Sequence, residues 1–138
     1  MTITICGSLK FFKEMQELQK RLESFGHTVH LPIYVEGIDY WSEDGVPKVQ
    51  AKKLQDLMKK HMELIRQADA VLIANYTKGG AVNYIGGNTY LEMGIAHFFE
   101  KPIYLLNPAP DQAYINDELQ SMDLIVLNGD LGPFRSPS

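Results

Sequence analysis

Apolar and β-branched residues run from Thr2 to Cys6, break at Gly7-Ser8, and give way to Phe11, Phe12, Met15, Leu18, Leu22 and Phe25 at three- and four-residue spacing. The change of period predicts a strand, a turn and an amphipathic helix, with Gly26 placed as the residue that ends it. His27 to Leu31 reads as a second short strand closed by Pro32. Residues 33 to 46 mix aromatics, carboxylates and two glycines without a period, which predicts a loop of a length that more often serves function than mere connection. From Pro47 to Ala68, the positions Leu54, Leu57, Met58, His61, Ile65 and Ala68 fall on one stripe and predict a long helix.

Ala70 to Ala74 is a continuous apolar run, the signature of a strand buried on both faces of a parallel sheet. The glycine-rich residues 76 to 88 lead into a helix expected over Thr89 to Glu100, with Leu91, Gly94, Ile95 and Phe98 on one face. A fourth strand follows over Pro102 to Leu106, then a helix within 111 to 121 and a last strand over Leu124 to Leu127. Breakers and serines mark 129 to 138 as a loose tail, outside a domain spanning 1 to 128. Strands alternating with helices call for an α/β fold, a flavodoxin-like or Rossmann-like three-layer sandwich with a five-stranded parallel sheet in the order 2-1-3-4-5. Ligands in such sheets bind at the carboxyl ends of the strands, where the strand order reverses.

Composition narrows the function classes. With 138 residues, 45% of them hydrophobic, the chain has the makings of one sizeable core. A net charge of −4 argues against nucleic acid or an anionic membrane as partner and leaves small molecules. The six Lys and Arg residues of the Pro47–Ala68 segment read as a solvated helix face. A lone cysteine, Cys6, excludes an intramolecular disulfide framework and suits a reducing compartment, so the cytoplasm is the expected location. No apolar run approaches the ~18 residues of a membrane helix, and the first strand is preceded by no basic stretch of a leader. The four histidines show no ligand spacing such as H-E-x-x-H, and no metal is expected.

Three places carry candidate chemistry. Gly7 and Ser8 end the first strand where a helix begins, which suits either an anion or sugar hydroxyl or, equally, a tight turn with Ser8 as a cap. In Gly86-Gly87-Asn88-Thr89-Tyr90-Leu91-Glu92, the glycines permit close approach of backbone to a ligand and Glu92 is expected about one turn into a helix begun by Asn88 or Thr89. Thr89-x-x-Glu92 also has the spacing of a capping box, in which the carboxylate returns a hydrogen bond to the backbone, and the pattern leaves both readings open. His61 stands where the apolar stripe would have leucine, as a satisfied core histidine or as a site residue. Asn75, after the third strand, and Tyr34, in the aromatic loop, lie at the expected rim.

Ile5-Cys6-Gly7-Ser8, the run Ile65 to Ile73, Thr89-Tyr90-Leu91-Glu92-Met93-Gly94-Ile95-Ala96 and Lys101-Pro102-Ile103 together resemble the nucleoside 2-deoxyribosyltransferase superfamily, which includes deoxynucleoside 5′-monophosphate N-hydrolases. The likeness covers roughly residues 1 to 107. It implies that Glu92 is a nucleophile on C1′ of a nucleoside or nucleotide and that Ser8 serves the sugar or phosphate. It further implies that the base leaves with a proton and that the sugar passes to another base or to water, without a cofactor. It also implies a homodimer or larger assembly, with Asn116 or Ser121 reaching the neighbour's site, and Tyr34, Tyr40 and Trp41 available to stack on the base. The chain departs from the family pattern at three positions: His61 replaces an aspartate, Gly86 replaces the aspartate of transferases or serine of hydrolases, and Thr4 replaces a first-strand aromatic. Two other readings stand beside this one. The Gly86-Gly87-Asn88-Thr89 to Glu92 stretch echoes the loop of cytokinin-activating phosphoribohydrolases, and the departures suit a nucleotide-binding module without catalysis.

Overall fold

The computed structural model describes residues 1–34 and 48–135, with the backbone alone for 48–55. Tyr40, Trp41 and most of the expected aromatic loop lie outside the described residues, as do the last three. Five strands, β1 (Thr2–Cys6), β2 (Thr28–His30), β3 (Ala70–Ile73), β4 (Ile103–Leu105) and β5 (Leu124–Val126), form an all-parallel sheet in the order β2-β1-β3-β4-β5. The helices are α1 (Phe12–Ser24), α2 (Lys48–Gln67), α3 (Gly87–Phe98) and α4 (Asn116–Ser121). This is the three-layer order expected from the pattern of apolar runs, with element ends trimmed by one to three residues in most cases and the helix within 111–121 confined to its second half. No helix among the described residues is long and apolar enough to cross a membrane.

Alternation along β1 explains the layers. Ile3 and Ile5 join Met15, Leu18 and Leu22 of α1 on one face, while Cys6 joins Val71, Ile73, Ile65 of α2, and Met93 and Ala96 of α3 on the other. Helices therefore change faces between β1 and β3, which are adjacent strands. The crevice this reversal opens at the strands' carboxyl ends lies directly beyond Cys6. At the opposite end Asp69 ties the two strands together: its carboxylate accepts from the Thr2 amide at 2.7 Å, and its own amide donates to the Thr2 carbonyl at 2.8 Å. Asp69, one of the residues carrying the family likeness, thus belongs to the frame and stands away from the crevice.

Two helix ends use the same turn with different residues. After α1, Gly26 takes φ +97°, its amide bonding Glu23 O and that of His27 bonding Leu22 O. After α3, Glu100 fills the equivalent left-handed position at φ 57°, with Glu100 N on His97 O and Lys101 N on Ala96 O. The helix expected to run to Glu100 stops at Phe98 because the chain turns left-handed there. Replacing Glu100 by glycine relieves the cost of placing a side chain in this region, and thermal or urea unfolding should show a gain of up to about 1 kcal/mol.

The segment expected to be a loose tail is packed as far as it is described. A 3₁₀ turn over Gly132–Phe134 sets Leu131 and Phe134 into the α1-side core, each at most 3% exposed. The Phe134 ring lies 4.6 Å from that of Tyr104, and its carbonyl meets the His27 ring. Breakers in the sequence signal the turn but say nothing of the two apolar side chains it delivers. Truncating Phe134 to alanine should cost about 3–5 kcal/mol of stability in a denaturant titration, where a loose tail would give no change.

Candidate active site

Beyond Cys6, the chain passes through Gly7 into a 3₁₀ turn over Leu9–Phe11. Gly7 is favoured by close packing: a Cβ there would come within 3.1 Å of the Ala74 carbonyl oxygen and the Met15 sulfur, which would have to give by a few tenths of an ångström. Ser8 caps the turn, its Oγ accepting from the Lys10 amide at a long 3.4 Å, and it also lines a cavity of about 310 Å³. That is the small end of the ~300–1,000 Å³ typical of small-molecule sites. Gly86, Gly87, Asn88, Thr89, Glu92, His61 and Gly7 share the same cavity. Eight of the ten residues expected at the chain's own site are therefore brought together from three separate stretches of chain.

Helix α3 begins earlier than its sequence suggests, at Gly87 with Gly86 as the cap residue. Thr89 is thus the third helical residue and Glu92 the sixth, one turn too deep to close a capping box. The cap supplies no side-chain hydrogen bond. The first amides of α3 therefore face the cavity uncapped, where they and the helix dipole favour an anion or hydroxyl oxygens. Gly86, which departs from the family pattern, lies under the Tyr84 ring: a Cβ there would stand 3.3 Å from it. Tyr84 also lines the cavity and carries Lys78 Nζ 4.9 Å from its ring centre.

Glu92, 6% exposed, and His61, 3% exposed, face each other across the floor. His61 Nε2 lies 3.0 Å from Glu92 Oε2, an ion-pair distance when the ring is protonated. The two are not aligned as a hydrogen bond, and Oε2 has no hydrogen-bond partner among the described residues; nor has His61 Nδ1. His61 is therefore not the satisfied core histidine of the alternative reading. Cys6 Sγ approaches His61 Nε2 to 3.7 Å from below. Burial first, and then the charge of Glu92 and a hydrogen bond to it, push the Cys6 thiol well above its usual range, so Cys6 is held as a neutral thiol.

Asn75 and Tyr34, expected at this cavity, lie elsewhere, and Asn116 and Ser121 are expected at a neighbouring subunit's site rather than at this one. Asn75 is fully buried and joins the ends of β3 and β4: its Nδ2 donates to Asn107 O at 2.8 Å and to Pro108 O at 3.2 Å, and its Oδ1 accepts from Asn107 N at 2.9 Å. Tyr34 packs on Phe12 at 4.8 Å and does not line the cavity, although its neighbour Ile33 does. Asn116 and Ser121 sit on α4, away from it. Asn116 Oδ1 accepts from Gln112 N, its Nδ2 donates to Asp111, and Ser121 Oγ donates to Asp117 O.

Gln112 carried no signal in the sequence and proves central to the geometry. Its side chain pairs with both backbone groups of Ile85, accepting from the amide and donating to the carbonyl, each at 2.9 Å. The clamp fixes the backbone immediately before Gly86-Gly87, and Asn116 holds the clamp in turn. Leu57 and Met58, expected as core, form part of the cavity wall.

Against solved structures the fold has clear counterparts. A CMP N-glycosidase from Clostridium botulinum superposes with a TM-score of 0.51 at 18% identity, covering 93% of this chain and 89% of its own. A 2-deoxyribosyltransferase from Bacillus psychrosaccharolyticus matches at TM-score 0.50 and 21% identity, over 76% and 71%. Another, from Leishmania mexicana, matches at 0.50 and 16%, over 75% and 62%. No family model and no curated protein matches the chain. These neighbours are two 2-deoxyribosyltransferases and a CMP N-glycosidase, whose fold this chain shares.

Asn75 separates frame from site. Asn75→Ala should lower stability by about 1–3 kcal/mol, because backbone groups of Asn107 lose a buried partner, as read from the urea midpoint.

Proposed function

We propose that the chain cleaves the N-glycosidic bond of a nucleoside or nucleoside 5′-monophosphate, with Glu92 as nucleophile. One observation carries the reading: a carboxylate more than nine-tenths buried keeps one oxygen without a hydrogen-bond partner among the described residues, on the wall of a cavity of small-molecule size. Burying a charged oxygen without a partner is costly, and such strain concentrates at sites where the group has work to do. The family likeness of residues 1 to 107 and the shared fold of N-glycosidase and deoxyribosyltransferase structures support it.

In this reading the Glu92 carboxylate attacks C1′ as the bond from C1′ to the base nitrogen breaks, through a transition state with positive charge on the sugar ring. The electron pair of the broken bond leaves with the base, which takes a proton from the His61 imidazolium. The product on the protein is a glycosyl ester of Glu92. Water or a second base then attacks C1′ from the face opposite the ester, gives up its proton to the His61 imidazole and returns the carboxylate. A histidine where the family carries aspartate can serve as this proton carrier. Ser8, Gly7 and the uncapped amides at Gly87, Asn88 and Thr89 hold sugar hydroxyls or a 5′-phosphate. No cofactor enters this chemistry.

Incubation with a panel of nucleosides and 5′-monophosphates should release free base, and a second base in the mixture separates transfer from hydrolysis. Glu92→Gln, close in volume, should reduce release by at least ~10³-fold while leaving the unfolding midpoint near that of the parent. Full activity in that variant would remove Glu92 from the role, and binding without release by the parent would favour the non-catalytic module.

A further inference from the structure

Cys6, His61 and Glu92 bring a sulfur, a nitrogen and an oxygen together, all three within 4.8 Å of one another and all three residues buried. The reaction proposed above uses Glu92 and His61 but has no task for the thiol. We propose that these three side chains form a zinc-binding site, with Cys6 Sγ, His61 Nε2 and Glu92 Oε2 as ligands.

Geometry supports it first. Bonds of ~2.0–2.3 Å in a tetrahedron set ligand atoms ~3.3–3.7 Å apart; the separations from His61 Nε2, 3.0 Å to Glu92 Oε2 and 3.7 Å to Cys6 Sγ, lie near that range, and the Cys6–Glu92 separation, within 4.8 Å, closes by about an ångström when a cation draws the side chains in. The second support is Glu92 Oε2, a buried carboxylate oxygen 3.0 Å from His61 Nε2 and without a hydrogen-bond partner among the described residues. Third, a thiolate, an imidazole and a carboxylate are the donor set of zinc rather than of magnesium or calcium, which take oxygen alone. Three protein ligands leave a fourth position, and His61 and Glu92 both line the cavity, so a path for entry and a place for water exist.

Binding replaces the S–H bond with a sulfur–zinc bond and releases the thiol proton to solvent. His61 Nδ1 has no acceptor behind it among the described residues, whereas resident zinc sites anchor the ligand ring through that atom. The site is accordingly one for reversible capture rather than for a permanent structural ion. The consequence for activity rests on the reading of Glu92 as nucleophile: zinc would occupy the lone pair that attacks C1′, so bound zinc and base release exclude each other. Sequence spacing conceals the set, because its members come from the end of β1, the middle of α2 and the second turn of α3.

The test is a calorimetric titration of the metal-free protein with Zn²⁺ and an absorption titration with Co²⁺. One zinc per chain and a thiolate-to-cobalt charge-transfer band in the near ultraviolet are expected. Cys6→Ala should lose the band and weaken zinc by at least ~10-fold, the lower bound set by losses at mere supporting residues. His61→Gln keeps the thiol and should weaken zinc comparably, which covers the case that the Cys6 variant does not fold. No binding, binding without the band, or unchanged affinity in a folded variant overturns the site. If no nucleotide releases its base while the cobalt band forms, the site stands and the reading of the reaction falls. Base release undiminished at saturating zinc overturns the sharing of Glu92.

Discussion

A buried carboxylate oxygen with no hydrogen-bond donor among the described residues is the constraint around which this molecule is organised. Water would satisfy Oε2 of Glu92 at no cost, yet the fold places it at the second turn of α3, walls it with α2 and offers it only an ill-aligned imidazole. The rest of the sheet must hold that arrangement against its tendency to relax. The means are visible: Asp69 locks β1 to β3 at one end, Asn75 locks β3 to β4 at the other, and Gln112 pins the backbone at Ile85 just before α3 begins. Each is a polar side chain bonded to main chain, so each fixes where an element starts or stops.

The sheet was legible because its physics is local and periodic. Apolar runs of three to five residues, separated by helical stripes, leave few topologies once crossovers are right-handed. Boundaries were less legible for a specific reason. A helix stops where one residue turns left-handed, and Glu100 does so without the glycine that announces the same turn at Gly26. Likewise the start of α3 is set by Gly86, a residue with no capping side chain, and not by the better caps Asn88 and Thr89 that follow it.

The candidate site was legible in part. Glycines at strand ends and an acid near a helix start are patterns that a sequence displays, and Gly7, Ser8 and the Gly86–Glu92 stretch do gather at one cavity. What the pattern left open, capping or an exposed role for Glu92, depends on which residue caps α3, a shift of two or three positions. Asn75 had the right address at the carboxyl end of the central strand, but its amide is spent on Asn107 and Pro108. Gln112 had no address at all: a side chain that mimics a strand partner for a single residue across 27 positions leaves no periodic trace.

The packing of Leu131 and Phe134 has a kinetic consequence. His27 and Phe134 are 107 residues apart in sequence, and the cluster they help to close reaches back to Ile3. Contacts of that span pay the largest loop-closure entropy and form late. The buried cluster on the crevice side takes its last member at Leu119, earlier in the chain than Leu131 and Phe134. Until about residue 134 has emerged in synthesis, α1 lies over a surface still short of two of its apolar side chains, on the face away from the carboxylate.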